Sequence, residues 1–124
     1  MPLLKELKLL DVSVNGLEVV PPSLPECAAL VELNLGRNKL VSLPENLGIL
    51  SNLEVLYLSN NRLENLPPSL GQLTKLKKLL LAENHLAAVP RAIGELRLLT
   101  ELSLSKNRIA EIEPGSLSRL DLLV

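Results

Sequence analysis

A chain of 124 residues has length for one domain, and its 47% apolar content is enough to build a core. Its 13 basic and 14 acidic residues leave a formal charge of −1, so no whole-chain field draws it to nucleic acid or anionic lipid. Cys27 is the single cysteine, which excludes an internal disulfide and a cysteine-based zinc cluster.

Taken from the N-terminus, Met1 to Glu6 reads as the end of an outer-wall segment, with Leu4 in the column of Leu50 and Leu73. Lys5, Glu6 and Lys8 interrupt the opening leucines and break any signal-peptide run. No stretch nears the roughly 20 apolar residues that cross a bilayer. Asn-x-Ser/Thr acceptors are absent as well. A reduced, cytoplasmic setting without membrane insertion is the expectation.

From Leu7 onward the sequence repeats itself at a shift of 23. Leu7, Leu30, Leu53, Leu76 and Leu99 open five units, read as 7–29, 30–52, 53–75, 76–98 and 99–122. Three residues on stand Leu10, Leu33, Leu56, Leu79 and Leu102, and then Val12, Leu35, Leu58, Leu81 and Leu104. Each short alternating segment, such as Leu33-Asn34-Leu35, reads as a strand with its leucines turned into the core. Five strands side by side, about 4.8 Å apart, predict a parallel sheet roughly 20 Å across.

Asparagines close each strand at Asn15, Asn38, Asn61, Asn84 and Asn107. A buried amide there can accept from a backbone N–H and donate to a carbonyl, so a structural ladder is expected rather than a ligand site. The return segments read L-P-x-x-L-G-x-L, as in Leu66 to Leu73, and Pro21, Pro44, Pro67 and Pro90 end the strand region. Gly48, Gly71 and Gly94 mark either tight outer packing or positive φ. Cys27 takes the column of Leu50, Leu73 and Leu96 and reads as a small buried hydrophobe. The last unit is one residue longer, through Glu113-Pro114 to Leu120, and Leu123 opens a sixth unit with Val124.

The motif L-x-x-L-x-L-x-x-N-x-L, met five times in register, resembles the leucine-rich repeat family over essentially the whole chain. That resemblance implies an α/β solenoid, or horseshoe: a single domain over 1–124, a parallel β-sheet on the concave face, and irregular, 3₁₀ or short helical convex segments. Residues 1–6 would end a preceding repeat and 123–124 begin a following one. The proline-bearing return is similar to that of Ras-suppressor and Scribble-type scaffold repeats and of plant intracellular Ras-group repeat proteins. It implies an intracellular signalling or scaffold role in protein binding. A ligand-sensing receptor ectodomain fragment and the targeting arm of a multidomain enzyme, such as a kinase or ubiquitin ligase, are the alternatives.

Nothing in the chain assembles a catalytic set. His85 is the one histidine, and Asp11 and Asp121 lie at opposite ends. Neither cofactor, metal nor enzymatic activity is expected. Partner binding is expected on the concave positions between the buried leucines: Glu32, Asn34, Val55, Tyr57, Lys78, Leu80 and Glu101. Leu9, Asp11 and Ser103 share those columns, and a third column is small throughout: Ser13, Gly36, Ser59, Ala82 and Ser105. Val55, Tyr57 and Leu80 are predicted to be exposed together, with Tyr57 as the anchor. Past the asparagines, Lys39, Arg62, His85 and Arg108, with Arg37 and Lys106 nearby, form a basic rim suited to an acidic protein. Without aromatics to stack bases, nucleic acid is not expected there. Uncapped ends would leave apolar strips, predicting either a longer array or self-association.

Overall fold

The computed structural model describes residues 6–21 and 23–112. Strands β1 (Leu9–Asp11), β2 (Glu32–Asn34), β3 (Val55–Tyr57), β4 (Lys78–Leu80) and β6 (Glu101–Ser103) form one open parallel sheet in the order β1-β2-β3-β4-β6. The register advances by one unit at each step: Leu10 pairs with Leu33, Leu33 with Leu56, Leu56 with Leu79, and Leu79 with Leu102. Each strand is only three residues long because a single leucine faces inward, and two flanking residues face out. Leu33, Leu56 and Leu79 are fully buried, whereas Leu10 and Leu102 on the outer strands are half-buried.

The outer wall consists of 3₁₀ turns at Leu24–Glu26, Leu47–Ile49, Pro68–Gln72 and Arg91–Glu95. A proline carbonyl starts each one. Pro21, Pro44, Pro67 and Pro90 accept from the N–H of Leu24, Leu47, Leu70 and Ile93 at 3.0–3.2 Å. Proline holds φ near −65° and cannot donate to a sheet ladder, so the chain leaves the strand direction and tightens into an i→i+3 turn. Leu24, Leu47, Leu70 and Ile93 drop inward from these turns and are buried. Cys27, Leu50, Leu73 and Leu96 then close each turn and line the core from the convex side. Burial, with help from the neighbouring Glu26 carboxylate, pushes the Cys27 thiol above its ordinary range, so it stays protonated at neutral pH.

Of the two readings for the recurrent glycines, close packing holds at Gly48 and Gly71. A methyl group on Gly48 would sit 2.5 Å from the Ser69 carbonyl oxygen, and one on Gly71 would run into the Glu95 side chain. Positive φ falls elsewhere, one residue before each asparagine: Val14, Arg37, Asn60, Glu83 and Lys106 all lie between 55° and 61°. A second small sheet was not anticipated. Strand β5 (Ala88–Val89) pairs in parallel with β7 (Glu111–Ile112). Both end in a β-branched residue, where the earlier turns carry Leu43 and Leu66, and branched residues favour the extended pairing.

No helix among the described residues is long and apolar enough to cross a membrane. The longer last turn from Glu113 to Leu120, and the ends at Leu4 and Leu123, lie outside the described residues.

Candidate functional site

Beneath the surface, the asparagines tie turn to turn. Asn61 donates Nδ2 to the Leu58 carbonyl of its own turn at 3.1 Å and to the Leu35 carbonyl of the turn before at 3.0 Å. Its Oδ1 accepts the Leu40 N–H at 3.0 Å. Asn38, Asn84 and Asn107 repeat that pattern at the same offsets, and Asn38, Asn61 and Asn84 are buried. Asn15 is exposed and, among the described residues, donates within its own turn, to the Val12 and Ser13 carbonyls. Each buried amide therefore satisfies backbone groups that would otherwise be orphaned as the chain leaves the strand. This holds the residues just before it, with their positive φ, in fixed places above the sheet.

On the concave face the outward residues form two columns. One runs Leu9, Glu32, Val55, Lys78, Glu101; the other runs Asp11, Asn34, Tyr57, Leu80, Ser103. In the first, Lys78 and Glu101 face each other across β4 and β6 at 3.9 Å, exposed enough that the pair contributes little. In the second, Asp11 and Asn34 each fold back on their own turn. Asp11 Oδ1 accepts from the Ser13 hydroxyl at 2.6 Å and the Ser13 N–H at 3.0 Å, and Asn34 Oδ1 accepts the Gly36 N–H at 2.9 Å. The Ser13 hydroxyl, and then its N–H, hold the Asp11 carboxyl below its ordinary value.

A shallow groove of about 330 Å³ is lined by Tyr57, with Asn34 and Leu80 beside it on the adjacent strands. The small column contributes Ser13, Gly36 and Ser59 to its lining, and the positive-φ column contributes Val14, Arg37 and Asn60. Val55, Tyr57 and Leu80 are half-buried rather than exposed. Strands about 4.8 Å apart press neighbouring side chains together, so each covers part of the next.

The groove thus collects Tyr57, Leu80 and Asn34 from the concave set and takes Arg37 out of the basic rim. His85 and Arg108 line a separate depression with Glu64, Asn65 and Ala87. Lys39 and Arg62 are exposed on the preceding turns of the same column. Lys106 pairs with Glu83 at 3.5 Å. Val14 and Asn60 escaped the sequence reading. Their shared place, 23 residues from Arg37 on either side, is the signal that would have found them. Among the described residues, no cluster of His, Cys, Asp or Glu is arranged to hold a metal ion.

Comparison with known proteins agrees with this geometry. A sequence profile for a leucine-rich repeat region matches residues 27–123. A solved leucine-rich repeat protein of Leptospira interrogans superposes with a TM-score of 0.69 at 33% identity over 88% of this chain. The chain spans about a third of that protein's length, the match covering 34% of it. No curated protein matches. Solved chains that match number 363, so widespread a fold that it names no partner by itself. A five-stranded open parallel sheet, proline-led 3₁₀ returns and a profile match over most of its length show that the chain belongs to the leucine-rich repeat family.

Proposed function

We propose that this protein is a non-catalytic interaction module of an intracellular, cytoplasmic signalling or scaffold system, seating a partner protein on its concave sheet. Residues 1–124 form one repeat domain in this proposal, with units at 7–29, 30–52, 53–75, 76–98 and 99–122. One observation carries it. Tyr57, the only aromatic residue, stands on the middle strand of the sheet and lines the concave groove, and its hydroxyl has no hydrogen-bond partner among the described residues. The fold supplies its own core from leucine and has no use for a ring on that surface. A tyrosine there provides rigid contact area and a polar tip, the properties that make it a frequent anchor of interfaces. Glu32, Val55, Lys78 and Glu101 would frame the contact from the adjoining column. Lys39, Arg62, His85 and Arg108 would contribute steering charge at the edge.

Replacing Tyr57 by Ala should weaken partner binding by about 1–3 kcal/mol, read by calorimetry or surface plasmon resonance with the isolated partner. Unchanged affinity would remove the anchor and the concave reading with it. Arg62→Glu should chiefly slow association at low salt, as expected of an edge charge. Self-association is a subsidiary part of the proposal, supported by Leu9, Val14 and Val19, which are 57%, 67% and 73% exposed on the first turn.

A further inference from the structure

We propose that the Tyr57 groove recognises one carboxylate, carried by a glutamate or aspartate side chain within an extended segment of the partner, with Arg37 as its counter-charge. This rests on the concave-face reading and adds the chemistry of what is held there. Arg37 is the one charged side chain lining the groove among the described residues. Its guanidinium makes no ion pair or hydrogen bond there, whereas Lys77, Lys78 and Lys106 each face a glutamate within 4 Å. Asn34 has turned its Oδ1 to the Gly36 N–H, which leaves its Nδ2 donors unengaged. The Tyr57 and Ser59 hydroxyls and the Asn60 side-chain amide have no partners among the described residues either, and each can donate.

A lining with one cation, no anion and several idle donors is complementary to a single negative charge bearing acceptor oxygens. One guanidinium balances a carboxylate and leaves a phosphate dianion only half neutralised. Val14 and Leu80 flank the position with aliphatic surface, so the acidic residue should be followed or preceded by an aliphatic one. Asp11, the nearest acid in the same strand column, is occupied by Ser13 and does not line the groove.

The test is an amide NMR titration of the whole 124-residue chain with three tripeptides. These are acetyl-Leu-Glu-Leu-amide, its Gln counterpart, and the Gln peptide with a free C-terminal carboxylate. The Glu peptide should perturb the amides of Gly36, Arg37, Tyr57 and Ser59 and bind about two- to fivefold more tightly than the Gln peptide, the range of an exposed ion pair. Raising salt to about 0.5 M should erase that preference. In Arg37→Asn the preference should vanish with the rest of the spectrum intact, since Asn60 already holds the same backbone conformation in the next turn. Equal binding of the Glu and Gln peptides, or a preference that survives Arg37→Asn, overturns the carboxylate proposal. Shifts at Tyr57 in that case would leave the concave reading standing. A preference for the free chain end overturns it in favour of a terminal carboxylate. If the Glu peptide shifts none of these amides at any attainable concentration, the proposal is overturned too.

Discussion

Val14, Arg37, Asn60, Glu83 and Lys106 share a backbone conformation that only glycine and, to a lesser degree, asparagine accept readily. Val14 is the poorest fit of the five, because its branched Cβ crowds the carbonyl. Val14→Asn should therefore raise stability by about 1 kcal/mol, seen as a higher urea midpoint at unchanged slope. A lower midpoint would show that the valine contributes more through contact than it costs through strain. Asp11 supplies a pH effect of definite sign. Its folded carboxyl lies below the ordinary 3.8, so the unfolded chain takes up this proton first as pH falls. The Ser13 contacts thus stabilise the fold above about pH 4 and lose that effect as pH drops through the folded value. Between pH 6 and pH 3, Ser13→Ala should lose less stability than wild type, followed by urea melts. A parallel decline in both would assign the acid sensitivity to other carboxylates. The asparagine spacing was legible in the sequence; the strained column beside it was not, since Val, Arg, Glu and Lys give no hint of positive φ.

At the level of elements, the convex turns separate two glycines that look equivalent in sequence. Gly48 faces the Ser69 carbonyl oxygen and Gln72 Oε1, each 2.5 Å from where a methyl would be, and its N–H is held by Ser69 Oγ at 3.1 Å. A backbone carbonyl in a packed turn has nowhere to go, so Gly48→Ala should cost about 1–3 kcal/mol. Gly71 faces the exposed Glu95 side chain, which can swing aside, and Gly71→Ala should cost less than about 1 kcal/mol. Thermal melts of the two variants side by side check the contrast, and equal losses would mean that the turns differ less in packing than their contacts indicate. The period of 23 and the proline column revealed where these turns lie. What each glycine meets depends on the next turn, the Ser69 carbonyl and Gln72 side chain for Gly48 and the Glu95 side chain for Gly71, and this differs from unit to unit. The pairing of β5 with β7 was hidden for a similar reason. It depends on Val89 and Ile112, branched residues that stand where Leu43 and Leu66 stand in the earlier turns.

For the molecule as a whole, the core was readable because a 23-residue period of leucines can be buried in few ways: stacked turns share one continuous interior. The groove was only partly readable. Tyr57 and Leu80 announced themselves by being apolar between buried positions, but Arg37 was read with the basic rim, and the structure also places it in the lining of the groove. Linear proximity to Lys39 pointed to the rim, whereas the turn at positive φ carries Arg37 over the sheet. Stacking also bears on assembly. If the exposed Leu9, Val14 and Val19 take part in self-association, sedimentation velocity at micromolar concentration should show species larger than 13.5 kDa that dissociate on dilution. A single monomer boundary throughout would remove self-association from the proposal.

The asparagine bonds have an architectural corollary. Every rung reaches the same number of positions back along the chain, and its neighbours are chemically interchangeable with it. Inserting a copied 23-residue cassette between two turns would present each amide with the carbonyls and N–H it already uses, whichever turn supplies them. Such a molecule can lengthen by duplication without devising any new asparagine bond, and its inner surface widens by one strand at every step.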